Sequence, residues 1–216
     1  MTHASSPTNP AVKQGPTSGS ALVKGCLIVA AIVVIGGITL VVGGYYAFQH
    51  YMNKFTDDQP MALPVVEMDQ DTYDTLAARA ETFAEAIDAG QDTQPFQLNE
   101  TELNALIQNH SDWEDIAENI YVTIEGDSIG GQISMPFGER YVNATATFEF
   151  RFANGQLYLY IKDATVKGEA VPDTILSQMR NENLAAEMMN DPDTQAFFEN
   201  IEAVEVTDGK IVVTPK

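Results

Sequence analysis

The chain has 216 residues, and 11 Lys and Arg stand against 31 Asp and Glu, for a net charge of −20 at pH 7. That balance disfavours nucleic acid as a partner, because phosphate recognition needs clustered cations. One Cys and three His exclude an internal disulfide framework and a Cys-based zinc site, and leave almost no room for a poly-histidine metal centre.

Taken in chain order, residues 1–22 read as a disordered tail. Of the first 20 residues, 14 are Ser, Thr, Pro, Gly, Asn or Gln, too little apolar surface to offset the entropy of ordering them. Residues 23–48 predict a transmembrane helix, since Gly25 to Phe48 holds no charged residue. At a rise of ~1.5 Å per residue that run spans about 36 Å, enough for a hydrocarbon core of ~30 Å. Tyr45, Tyr46 and Tyr51 suit the far interface and Lys24 the near one. A cleaved signal peptide has a shorter apolar region and a small-residue cleavage site, and neither feature is found here. Cys26 reads as a filler residue at the membrane edge, the position where reversible acylation occurs in other proteins. Lys13 and Lys24 before the span, against Lys54 after it, place the N-terminus in the cytoplasm and the rest of the chain outside it. The lipid bilayer is then the first partner, through the span.

Residues 49–70 read as a juxtamembrane stalk with Pro60 and Pro64, and residues 71–216 as one extracytoplasmic domain. Asp71 to Ala89 predicts an amphipathic helix, burying Tyr73, Leu76, Ala80, Phe83, Ala84 and Ile87 and stopping at Gly90. A second helix follows Asn99, which with Glu102 forms a capping box, and buries Leu103, Leu106 and Ile107. Ser111 and Glu114 open a short turn around Trp113.

Three hairpins then test for register. Asn154-Gly155 as a two-residue loop pairs Phe152 with Leu157, Phe150 with Leu159 and Phe148 with Ile161, keeping Glu149 and Arg151 on the other face. Gly126-Asp127 pairs Ile124 with Ile129 and Ile120 with Ile133; Asp208-Gly209 pairs Val206 with Ile211 and Val204 with Val213. Pro172 opens a helical stretch through Ile175, Met179, Leu184 and Met188, and Asp191-Pro192 precedes a last turn bearing Phe197, Phe198 and Ile201. The fold class expected is α+β: one N-terminal transmembrane helix, then a largely antiparallel sheet of about six strands in hairpins, with helices packed on one face.

The motifs that suggest chemistry are thin. Gly126-Asp-Ser128-Ile-Gly130 matches the nucleophile elbow of serine hydrolases, but a strand instead of a helix is expected after it and no His follows His110. His110 is the only His after the stalk and reads as a solvent-facing helix end. Asp69, Asp71 and Asp74, or Asp191 and Asp193, lack calcium-loop spacing and read as helix caps. Asn99, Asn109 and Asn143 match glycosylation acceptors, relevant only in a eukaryotic secretory pathway. No residue is assigned a catalytic, cofactor-binding or metal-ligating role, and no cofactor is implied.

The run Phe96-Gln-Leu-Asn-Glu-Thr-Glu-Leu-Asn-Ala-Leu-Ile107 resembles a recurring segment in uncharacterised families of bacterial membrane-anchored proteins. Met179-Arg-Asn-Glu-Asn-Leu184 and the Asp208-Gly209-Lys210 hairpin fit the same pattern. The resemblance implies a single-pass anchor and an extracytoplasmic α+β domain, and transfers no catalytic residue. More distantly, the layout looks like envelope domains that cradle lipid between a sheet and a helix. The expected function is a membrane-anchored, non-enzymatic binding or scaffold protein in the envelope, with an envelope protein or lipid as partner. The alternatives are a hydrophobic-ligand carrier, suggested by Phe148, Phe150 and Phe152, and a carboxylate-based hydrolase.

Overall fold

A computed structural model describes residues 55–109 and 117–216. The tail and transmembrane helix expected over 1–48, and His110 with the turn around Trp113, lie outside these residues. Among the described residues, no helix is long and apolar enough to cross a membrane. The elements are α1 (Gln70–Asp88), β1 (Phe96–Asn99), α2 (Glu100–Gln108), β2 (Ile120–Glu125), β3 (Ser128–Phe137), β4 (Arg140–Ala153), β5 (Gln156–Val166) and β6 (Glu169–Ala170). They continue with α3 (Asp173–Met179), a 3-10 turn (Met188–Asn190), α4 (Pro192–Glu199), β7 (Ile201–Thr207) and β8 (Lys210–Pro215).

Local chemistry accounts for the helix ends. Asp69 caps α1 by accepting from the Thr72 N–H at 2.9 Å and the Thr72 hydroxyl at 2.7 Å, and these two bonds hold its carboxyl below the usual range. Asn99 and Glu102 form the expected reciprocal capping box on α2. Asp191 caps α4, with Pro192 in the first turn, where a missing N–H costs nothing. All three predicted hairpins hold their predicted registers. Asn154 and Asp208 take positive φ (55° and 51°) ahead of glycines at 69° and 73°, the backbone that a tight two-residue hairpin loop demands.

The single sheet of about six strands is corrected to two antiparallel sheets: five strands in the order β2-β3-β4-β5-β6, and three in the order β1-β8-β7. The third hairpin does not join the first two. It recruits β1, with Leu98 opposite Ile211. Four residues running straight into a capping box are too few to show an alternating pattern, which is why β1 is hidden in the sequence. The tips of two hairpins join the sheets, where the Gly209 N–H donates to the Gly126 carbonyl at 3.0 Å. One buried cluster draws on both sheets and on α1, α2, α3 and α4, with Leu103, Ile107, Leu157, Leu159 and Phe198 fully enclosed. Side chains of this size contribute about 1.5–3 kcal/mol each on burial.

The helical stretch expected from Pro172 to Met188 is also corrected: α3 ends at Met179. Beyond it the chain turns back along β5, where the Leu184 N–H donates to the Leu159 carbonyl at 2.9 Å. Backbone satisfaction at a sheet edge thus wins over helix continuation. Ile201, expected in the last helical turn, opens β7 instead.

The described part of the stalk is bound to the domain. Phe55 and Thr56 are buried, and Asp57 pairs with Tyr141 in an isolated antiparallel bridge. Asn143 fixes the rest, accepting from the Met61 N–H at 2.9 Å and donating to Asp57 Oδ2 at 2.8 Å and the Gln59 carbonyl at 3.0 Å.

Candidate binding site on the outer sheet face

Strand alternation gives the five-stranded sheet two unlike faces. Ile120, Val122, Ile124, Ile129, Ile133, Ala144, Phe148, Leu159 and Ile161 point into the core and are buried. The opposite face carries Thr123, Gln132, Thr145, Thr147, Asp163 and Thr165, which line a trough of about 280 Å³. Cross-strand pairing sets these residues in rows. Thr123 lies opposite Gly130, Gly130 opposite Thr147 and Thr147 opposite Asp163; in the next row Gln132 lies opposite Thr145 and Thr145 opposite Thr165. The hydroxyls of Thr145 and Thr165 share a hydrogen bond of 2.7 Å.

Gly130 makes the floor of this trough possible. A Cβ there would run into Thr123 Oγ1 and stand 3.1 Å from the Ala146 carbonyl oxygen. The glycine is required by close approach, with no special backbone angle involved. At one end, two residues along each strand, Ser134 and Asn143 are buried beneath the docked stalk at Met61. At the other end the ladder shifts register between Thr147 and Phe148, so that Asp163 faces Thr147, Ile161 faces Phe148, and Lys162 is the extra residue.

Past that bulge the trough shares Asp163 with a shallower depression of about 620 Å³ lined by Glu149, Tyr160, Lys162, Arg180 and Asn181. Arg180 is already engaged there. Its Nε donates to the Lys162 carbonyl at 2.8 Å, and its guanidinium lies 3.3 Å from Asp163 and 3.4 Å from Asp173. Tyr158 and Tyr160 stand side by side with ring centroids 6.4 Å apart and planes 16° apart, and Arg151 lies 4.7 Å from the Tyr158 centroid. Such a face can hold a ligand by hydrogen bonds and ring contact.

The residues singled out by motif have structural positions. Ser128 is exposed at the start of β3 opposite Glu125, so a strand follows it where a nucleophile elbow needs a helix. Asp69 and Asp191 are helix caps, Asp71 and Asp193 lie in first turns, and Asp74 accepts from Gln70 at 2.7 Å. Among the described residues no three His, Cys, Asp or Glu converge as metal ligands would. Asn143 is buried with both amide atoms bonded, Asn99 is a cap, and Asn109 donates to the Ala105 carbonyl at 2.8 Å. Phe148 is buried, and Phe150 and Phe152 pack against the core, with the Phe152 ring 5.6 Å from that of Phe198. That aromatic stripe is packing.

The even positions of β4 from Val142 on are apolar and the odd ones mostly polar, but alternation alone does not distinguish a binding face from an ordinary solvated one. Thr145, Thr147 and the paired Gly130-Gly131 were the available signal, a run of small polar residues on a solvent face broad enough to stay open. A second groove of about 680 Å³ runs between α1 and β1 along Thr75, Arg79, Phe83 and Phe96. Arg79 occupies it, 5.2 Å from the Phe96 centroid, bonded to the Gln97 carbonyl at 3.1 Å and to Glu102 at 2.8 Å. It thereby shields the free edge of β1.

No protein family, curated protein or solved structure matches the chain.

Proposed function

We propose that this chain is a non-enzymatic binding protein anchored by residues 23–48, with its α+β domain on the extracytoplasmic side and the outer face of the five-stranded sheet as its recognition surface. The observation that carries this reading is the trough of hydroxyl, amide and carboxylate groups, open to solvent over a sheet whose other face is committed to the core. The stalk supports the anchoring. Only Gln49 to Lys54 separate the expected span from Phe55, which is buried in the domain. Six residues reach about 20 Å at full extension, so the anchor holds the domain beside the bilayer.

Hydrogen exchange on the full chain in vesicles, with and without soluble envelope extract, tests the surface. Slowed exchange along β3, β4 and β5 around Thr147 is expected; slowing only beside Arg79 would refute it. Protease added to intact spheroplasts tests the topology and should cleave the domain, whereas protection until lysis would place it inside.

A further inference from the structure

We infer that the outer-face trough binds a linear neutral polysaccharide. This rests on that face being the recognition surface, and four features converge on the ligand class. Its lining is chemically matched to a polyol: Thr123 and Thr147 each offer a hydroxyl that donates and accepts, the bonded Thr145–Thr165 pair keeps one donor and its remaining acceptors, Gln132 adds an amide that does both, and Glu125 and Asp163 accept.

Charge narrows the class further. Residues 57–216 carry eight basic and 31 acidic residues, a field that repels polyanions. Of the two cations in the adjoining depression, Arg180 already faces Asp163 and Asp173, so an anionic ligand there would have to displace two carboxylates, and Lys162 stands beside Asp163 and Glu149 in the same lining. A neutral chain of hydroxyls meets neither obstacle.

Length and ring surface complete the case. From Thr165 through Asp163 and Tyr160 to Tyr158 the outward positions of β5 cover about 23 Å at ~3.3 Å per residue, more than one sugar ring requires. Beyond Asp163 the Tyr160 ring lines the adjoining depression and provides a flat apolar surface suited to the C–H face of a pyranose, while Tyr158 beside it is covered on one side by Arg151. The docked stalk closes the opposite end beside Ser134, giving the trough one blocked and one open end.

The test uses the full chain in nanodiscs, titrated calorimetrically with cellohexaose and chitohexaose as neutral probes and with polygalacturonate as the polyanion. At least one neutral hexaose should bind at millimolar concentration or below, and polygalacturonate should bind more weakly. Thr147→Trp, which fills the trough from a solvent-facing position, should weaken binding by about tenfold or more, equivalent to ~1.4 kcal/mol. Tyr160→Ala should weaken it with an unchanged melting temperature, guarding against a merely misfolded Thr147→Trp. The proposal fails if neither hexaose binds, if polygalacturonate binds better, or if both variants bind as the parent does. Failure with hexaose while envelope extract still protects the Thr147 region would remove the polysaccharide and keep the surface; loss of both would remove the surface as well.

Discussion

The two sides of the five-stranded sheet face the same problem and solve it with the same chemical group held in different ways. On the β2 side, Asn104 of α2 reaches across and completes the ladder: its Oδ1 accepts from the Val122 N–H at 2.8 Å and its Nδ2 donates to the Val122 carbonyl at 2.7 Å. Glu100, one turn earlier, accepts from the Ile124 N–H at 2.8 Å and the Tyr121 hydroxyl at 2.7 Å. On the β5 side, beyond the two-residue β6, Asn183 accepts from the Leu159 N–H at 2.9 Å and donates to the Leu157 carbonyl at 3.2 Å. A carboxamide carries the same donor and acceptor as a peptide unit, so each Asn stands in for one residue of an absent strand. Asn104 is rigidly presented by a helix and fully enclosed, whereas Asn183 sits in irregular chain and is only half-buried. One edge is sealed; the other is latched.

The largest expected effect follows from that difference. Asn104→Leu keeps the branching at Cγ and removes both bonds to Val122, leaving its N–H and carbonyl buried without these partners. At about 1–3 kcal/mol for each of the two unsatisfied groups, urea unfolding should show a loss of roughly 2–6 kcal/mol. Asn183→Ala strips the corresponding bonds at a site that water can reach, so about 1–2 kcal/mol is expected. Equal losses at the two positions would break the distinction between a sealed and a latched edge.

A third Asn sharpens the comparison because it holds a segment in place of an edge. Asn143→Ala removes the side-chain bonds to Met61, Gln59 and Asp57, while the Asp57–Tyr141 bridge and the Met61–Ser134 bond remain, Lys167 still faces Asp57 at 3.4 Å and Arg140 faces Asp58 at 3.1 Å. Exposed ion pairs of this kind contribute at most ~1 kcal/mol. Faster exchange or proteolysis confined to residues 57–64 is expected, with global stability changed by less than at Asn104. Cooperative loss of the whole domain would show that the stalk is part of the fold's foundation.

These asparagines also mark how far the sequence could be read. Hairpin registers were legible because turn chemistry and alternation agree over many residues, as at Asn154-Gly155, and caps were legible because Asn99 and Glu102 stand three apart. Both are local rules. The Glu100-Thr-Glu-Leu-Asn104 run was visible as a recurring pattern, but its purpose was not: Glu100 and Asn104 fall one turn apart on α2 and bond to β2 some 18 to 24 positions later. Likewise Asn183 looked like a residue within a helix until its partners on β5 were known. The trough was hidden for the same reason, since Thr123, Gly130, Thr147 and Asp163 share a row only once three registers are fixed.

The smallest expected effect probes the sealed edge through protons. Tyr121 is 8% exposed, and burial, followed by its hydrogen bond to Glu100 and the repulsion of that carboxylate, pushes its pKa up to about 12 from an ordinary value near 10. For a phenol, the neutral form is the protonated one. The raised folded-state value therefore means that the stabilisation is complete below about pH 10 and drains away as pH climbs through 12. Stability measured by urea midpoint should fall across that window, and the Tyr73 hydroxyl, raised by burial and by Asp74, contributes in the same direction. Tyr121→Phe removes one hydrogen bond, costing about 0.5–1.5 kcal/mol at neutral pH, and should flatten the alkaline decline without abolishing it. If the decline were unchanged in Tyr121→Phe, the phenol would be reaching solvent freely, and the β2 edge would be less tightly closed than Asn104 and Glu100 imply.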